Sequence, residues 1–252
     1  MSAALLGDGV TMQPGDPLLA EVAGRGFALL RGEALAARLG AAGEAAALDE
    51  FAASWERLET DGFMADGGRY RRRRLANYAA RAGVPGHVRG PHRPHFQAVV
   101  HNTLNGGVER WFGPMEDAVA ESAPLQALLD LGRAVADARS PGGDWFVEVH
   151  QFRIEAAAGA PGFPTPEGAH HDGVDYVLIG MIARTNLAGG ETLITDDEGT
   201  ELARFTLLDR LDTAFIEDAR VMHGVTPVAP LDATQPSCRD VLVITWKRLQ
   251  QG

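Results

Sequence analysis

In the stretch PEGAHHDGVDYVLIG, residues 166–180, two histidines and an aspartate stand immediately before an apolar run. His170 and Asp172 are two apart, so on extended backbone their side chains leave the same side while His171 leaves the other. An imidazole and a carboxylate placed this way can converge on one ion. His223, in VMHGVTPV and 51 residues after Asp172, is a candidate third ligand on another strand-like segment. Two histidines and one carboxylate on one face leave coordination positions open, which is the donor set of non-haem Fe(II) oxygenases. A zinc hydrolase with the same ligands is chemically allowed, although the helical HExxH spacing of many zinc proteases is absent. A lone HxD recurs by chance, and a solvated, histidine-rich turn is the plain alternative.

Arg239 follows His223 by sixteen residues and opens the apolar run DVLVITW. A guanidinium at the entrance of a buried strand needs a partner, and its planar fork matches a carboxylate bidentately. A dicarboxylate co-substrate that chelates iron at one end would present its far carboxylate there. The competing reading is an arginine in a turn, paired with Asp240 or with nothing.

These residues have to be carried by strands. From Asp144 onward the chain reads as seven short strand-like segments, at 145–154, 176–184, 191–196, 201–208, 213–218, 221–228 and 240–249, separated by Gly, Pro and Asp clusters. That texture suggests a sandwich, jelly roll or barrel rather than βαβ units. Ahead of it, 33–58 and 114–139 have helical spacing. Pro124 either splits the second stretch or starts a new helix capped by Ser122. The expected class is mainly β with flanking helices (α+β). One domain over 1–252 is expected, helix-rich over 1–140 and with its core mainly over 144–249, the helices packed on one face.

Composition narrows the partners. A net charge of −11 in 252 residues argues against nucleic acid, whose phosphates need a basic surface. The run RYRRRR at 69–74 is the exception. In a strand, Arg69, Arg71 and Arg73 would face one way, and Tyr70, Arg72 and Arg74 the other. One set would meet carboxylates of substrate or co-substrate while the other pairs with surface acids. A single cysteine, Cys238, rules out an internal disulfide framework. With no apolar run of spanning length and no signal-peptide pattern, a cytoplasmic protein without membrane association is expected. A homodimer is left open.

The segments TPEGAHHDGVDYVLIGMIARTNLAGGETLI, VMHGVTPV and RDVLVITW resemble the bacterial 2-oxoglutarate/Fe(II) dioxygenase family that contains the isoleucine-type free amino-acid hydroxylases and their biofilm-stress homologues. RYRR, HFQAVVHNTLNGGVERWF and VEVHQFRI upstream extend the resemblance over roughly residues 60–249. It implies a double-stranded β-helix (jelly-roll, cupin-like) core and Fe(II) held by His170, Asp172 and His223. It also implies 2-oxoglutarate anchored by Arg239, with O2 as oxidant. The implied reaction is hydroxylation of a free or simply modified L-amino acid, or sulfoxidation where a thioether replaces the target carbon, with succinate and CO2 as co-products. A cupin-like metal-binding sensor and a zinc hydrolase are the rival readings.

Around that centre, Gln151 is a candidate donor to 2-oxoglutarate or to substrate, provided its face of 145–154 looks inward rather than outward. Glu167 is a candidate for a substrate ammonium, or else orders its loop by an ion pair. Arg184 would hold a substrate carboxylate or tie down the turn that follows it. Asn102 would bind substrate or merely form its Asn-Gly-rich turn. Arg71 is a candidate at the pocket edge. Trp111 and Phe112 read as core, and Cys238 has no role in this chemistry.

Overall fold

The protein is described by a computed structural model covering residues 12–13, 15–64, 66–100, 104 and 106–249. Five α-helices occur among the described residues: α1 (Pro17–Arg25), α2 (Gly32–Leu39), α3 (Ala45–Ala53), α4 (Asp117–Ala120) and α5 (Ala123–Arg139). The strands are β1 (Phe27–Leu30), β2 (Glu59–Thr60), β3 (Arg71–Ala80), β4 (Val88–Arg89), β5 (Trp145–Ala156), β6 (Tyr176–Thr185), β7 (Leu187–Gly189), β8 (Thr192–Thr195), β9 (Glu201–Phe205), β10 (Thr213–Glu217), β11 (Met222–Val225), β12 (Val228–Pro230) and β13 (Ser237–Arg248).

The larger sheet runs β1-β10-β6-β13-β5-β3-β2, with β4 added to β3. Its pairings are antiparallel throughout. A smaller sheet, β11-β8-β9, and the pair β12-β7 lie across it. This is a jelly roll, in which two antiparallel sheets close over an interior instead of leaving long edges free.

Period-2 alternation sorts the side chains of the large sheet into two cores. Trp145, Val147 and Val149 of β5 and Leu242, Ile244 and Trp246 of β13 point to the helices and pack against Leu125, Leu128 and Leu129 of α5. Ile179 of β6, Ala214 of β10 and Val241 of β13 point the other way and meet Ile194 of β8. The helical layer therefore covers one face, as expected, and the other face is the jelly-roll interior.

The helix boundaries differ from those read in the sequence. The stretch 33–58 breaks into α2, a 3-10 turn, α3 and a second 3-10 turn, because Gly40 leaves the helix at φ +57°. Pro124 begins α5 instead of splitting it, where its missing N–H costs nothing. Ser122 occupies the cap position, but its hydroxyl donates back to the Val119 carbonyl. The run GFALLRG at 26–32, strand-like and closed by Gly32, contains β1, whereas helix α1, capped by Asp16 through the Leu18 N–H, and the short strand β7 had no clear sequence signal. Residues 221–228, read as one strand, are β11 and β12, which belong to different sheets. The longest helix, α5, has 17 residues, and no helix among those described is long and apolar enough to cross a membrane.

Gly132 on α5 marks the closest approach of helix to sheet. A Cβ there would stand 2.1 Å from the Trp246 ring, and Trp246 is fully buried. Gly132→Ala should cost roughly 2–3 kcal/mol by overpacking, lowering the melting midpoint by about 4–12 °C in a calorimetric scan.

Candidate functional site

The HxD segment runs alongside β11. His170 and His223 exchange both backbone hydrogen bonds, each 3.0 Å long, so their side chains stand on one face with ring centroids 4.8 Å apart. Asp172, two residues on, points to the same side. Its Oδ1 is 3.4 Å from His170 Nε2 and its Oδ2 is 3.7 Å from His223 Nε2. Donors bound at right angles to one ion at about 2.1 Å stand about 3 Å apart, so a modest contraction of this trio would hold a metal on one face. The His170 Nδ1–H donates to the Gly168 carbonyl at 3.1 Å, which leaves Nε2 for an ion.

The loop is ordered by a residue the sequence reading missed. Asp218, just after β10, is 1% exposed. Its carboxylate accepts the backbone N–H groups of Asp172, Gly173 and Val174 at 2.9, 2.8 and 3.2 Å. His171, turned away from the site, clamps the same corner through the Asp218 carbonyl and the Asp197 carboxylate. Asp218→Asn removes the charged acceptor and should weaken divalent-metal binding about 10–100-fold in an anaerobic titration with cobalt(II), with the fold retained.

Burial and neighbouring charge set the proton states. Burial disfavours the His170 imidazolium, but the hydrogen bond and charge of Asp172, with help from Glu167, lift its pKa to about 9. Burial and the His170 charge push His223 down to about 4. Burial would raise the Asp172 carboxyl, but the two histidines hold it well below the usual carboxylate range. The acid is therefore an anion and His223 a free lone pair at neutral pH, while His170 has to release a proton to a metal.

The trio opens into a cavity of about 500 Å3 between the two sheets, which accommodates two small molecules side by side. Arg239, at the start of β13, lines it and is 2% exposed. Its Nε and Nη2 have no hydrogen-bond partner among the described residues. Burial and the Arg184 charge bring its pKa down to about 10. It does not pair with Asp240, which lies on the opposite face of β13 and binds Arg153 at 2.7 Å. A buried guanidinium with free donors, facing a cavity that also holds the His–Asp–His trio, fits the far carboxylate of 2-oxoglutarate.

The other candidates divide. Glu167 reaches the cavity, 3.7 Å from His170 Nε2, and its buried Oε2 has no hydrogen-bond partner. Arg71 also lines the cavity, but Asp61 neutralises it at 2.6 Å. Gln151 has to be reassigned. It sits on the helical face of β5 and donates to Ser54 Oγ at 2.8 Å, so it cannot reach a ligand in the interior. The inward face carries Glu148, His150, Phe152 and Ile154.

Arg184 is likewise outside the cavity. It donates to the Leu187 and Gly189 carbonyls and so ties down the β6–β7 turn. Asn102 lies outside the described residues. Phe112 is buried, as expected of core, whereas Trp111 is 56% exposed.

The arginine run alternates as strand geometry requires from Arg71 on. Arg71 and Arg73 point inward, while Arg72 and Arg74 pair with Glu155 and Glu59. Arg69 precedes β3 and is exposed, so it does not share the inward face.

A second polar group on the cavity wall was not anticipated. The His95 Nδ1–H donates to Glu148 Oε2 at 2.9 Å, and the His150 ring stands edge-on to His95 at 4.9 Å. These three donors are also close enough to hold an ion. Arg73, however, donates to His150 Nδ1 at 2.7 Å, its guanidinium 3.6 Å from the Phe112 ring centroid and 4.3 Å from that of Phe152. A dication there would face a guanidinium across a single imidazole, in a poorly screened interior. Burial and the Arg73 charge keep His150 neutral. Burial lowers His95 as well, against the pull of Glu148. Gln97 joins this wall to the trio, its amide 3.3 Å from Asp172 Oδ1. Single histidines and acids scattered over 95–150 carry no spacing signal, and only the segments HFQAVVHNTLNGGVERWF and VEVHQFRI that bear the resemblance contain them.

Residues 52–245 match the family model of the 2OG-Fe dioxygenases. A 3(1)-hydroxy-L-isoleucine 4-dioxygenase of Pantoea ananatis is 26% identical over 166 residues, 64% of this chain and 67% of the relative. An L-isoleucine-4-hydroxylase of Bacillus thuringiensis is 25% identical over 193 residues, 75% of this chain and 78% of the relative. Among solved structures, a bsmA homolog from Methylobium petroleophilum superposes with a TM-score of 0.83 at 36% identity, covering 91% of each chain.

Proposed function

The chain belongs to the 2OG-Fe dioxygenase family, and from that membership we propose that it hydroxylates a free L-amino acid at an unactivated carbon. His170, Asp172 and His223 hold Fe(II) in this reading, and Arg239 binds the distal carboxylate of 2-oxoglutarate. The iron, the co-substrate and O2 together supply the oxidising power, with succinate and CO2 as co-products. The observation that carries the proposal is the meeting of the His–Asp–His trio and the free donors of buried Arg239 in one cavity.

The protein's own part is orientation and exclusion of water. Gly168 and Asp218 hold the metal loop, and the Arg73–His150 and His95–Glu148 contacts stiffen the opposite wall. Glu167, with an unpartnered carboxylate oxygen beside His170, receives the substrate ammonium. Val225, Val241 and Val243 offer an apolar surface to an aliphatic side chain. The hydroxylation of isoleucine or its hydroxy derivative named for the two curated relatives supports an aliphatic amino acid here.

Anaerobic titration of the protein with Fe(II) and 2-oxoglutarate should produce the weak visible metal-to-ligand charge-transfer band. Admitting O2 with L-isoleucine and a panel of other L-amino acids should then release succinate in step with a product 16 mass units heavier. A zinc-loaded protein that hydrolysed substrate anaerobically, without 2-oxoglutarate, would instead favour the hydrolase reading.

A further inference from the structure

Of the four inward-facing buried arginines, two already have an acid. Arg71 and Arg73 share Asp61, at 2.6 and 3.8 Å. The other two, Arg239 and Arg110, have none within ion-pair distance among the described residues. Arg110 closes the base of the 95–110 segment, where it exchanges backbone hydrogen bonds of 2.9 and 3.0 Å with His95. It is 2% exposed and lines the cavity, and its Nε has no hydrogen-bond partner among the described residues. Its one side-chain hydrogen bond among the described residues is long, 3.5 Å to the Gln97 amide oxygen.

A buried cation in this condition calls for an anion. 2-Oxoglutarate supplies only two carboxylates, one for the metal and one for Arg239. We propose that Arg110 binds the carboxylate of the substrate itself. The inference rests on the amino-acid reading above and deepens it, because it requires a free carboxylate next to the amine.

The surroundings agree with a zwitterion. Glu167 and Arg110 line the same cavity, which therefore offers a carboxylate to an ammonium and a guanidinium to a carboxylate. Arg110 also stands two hydrogen bonds from the metal carboxylate, through Gln97 to Asp172 Oδ1. A carboxylate seated on Arg110 is thereby placed relative to the metal centre, and the aliphatic chain is left to the valine-lined side. Arg184, half-buried and with one nitrogen lacking a hydrogen-bond partner among the described residues, is not a rival. It lies outside the cavity and is bonded to turn carbonyls.

The test compares an amino acid with its primary amide. Holoenzyme with Fe(II) and 2-oxoglutarate is given L-isoleucine, or whichever L-amino acid releases most succinate, and the corresponding amide. Wild type should prefer the acid by about 100-fold or more in kcat/KM. In Arg110→Met the acid should lose about that factor while the amide changes little, so the preference collapses. Arg110→Lys should restore part of it. The charge-transfer band without amino acid should persist in both variants, which also shows that they are folded.

An unchanged acid-to-amide ratio in Arg110→Met would overturn the proposal. Loss of the band in that variant would overturn it too, by making Arg110 a 2-oxoglutarate ligand. A wild type that makes succinate with no amino acid removes the substrate class, and this proposal with it. In the other two failures the wild type remains active.

Discussion

His223→Ala is expected to abolish the Fe(II)–2-oxoglutarate charge-transfer band and to lower succinate formation by about three orders of magnitude or more. His223 is 4% exposed and sits 3.7 Å from Asp172 Oδ2. With its pKa near 4, it is the imidazole of the trio that needs no proton displaced at neutral pH. No other imidazole that lines the cavity among the described residues can replace it. His171 is turned outward onto Asp197 and the Asp218 carbonyl, and the imidazoles of His95 and His150 belong to the opposite wall. The fold should survive, because residue 223 is held by backbone pairing to Ile194 and His170. Far-ultraviolet circular dichroism should therefore overlay wild type. A folded His223→Ala protein that kept the band would show that the iron sits elsewhere.

Arg239→Met carries the second large effect, in two directions. Removing the charged partner of a buried carboxylate typically costs 2–5 kcal/mol or more, so 2-oxoglutarate should bind about 30- to 5,000-fold more weakly, read from the titration of the band. In the absence of 2-oxoglutarate the sign reverses. The wild-type guanidinium is 2% exposed, has no acid within ion-pair distance among the described residues and is destabilised as a cation by its burial. An apolar side chain of similar length should then stabilise the co-substrate-free protein by about 1–3 kcal/mol. Calorimetric scans with and without 2-oxoglutarate should cross over, wild type gaining from the ligand and the variant gaining little. A variant that was less stable in both conditions would mean that Arg239 serves the fold rather than the co-substrate.

Several features were legible because they depend on local geometry. Spacing of two on an extended backbone puts His170 and Asp172 on one side and His171 on the other, and the structure has them so. The same rule sorted Arg71 and Arg73 from Arg72 and Arg74. Turn-separated β-rich segments suggest a sandwich, jelly roll or barrel, and a jelly roll is what forms.

The errors have separate causes. Gln151 was ambiguous because β5 is buried on both faces, under helices on one and over the cavity on the other. Polar and apolar residues then cease to mark inside and outside. The break of 33–58 follows from Gly40 leaving the helix at positive φ, and the division of 221–228 from its two halves pairing with different strands, β8 and β7.

By itself the sequence determined the chemistry's raw material: the HxD pair, a distant histidine, an arginine at the head of an apolar strand, and the strand periodicity that carries them. Which of these meet was decided only by tertiary structure. His223 reaches His170 through the pairing of the metal loop with β11. Asp218 supports that loop from 46 residues away. Arg110, Gln97, His95 and Glu148 become one wall because the backbone pairing of His95 with Arg110 is brought against β5 by the His95–Glu148 contact. The physical reason is that a metal ligand pair can be written in the local repeat of a strand. A buried charge, by contrast, acquires its meaning from the partners that long-range pairing brings to it or withholds.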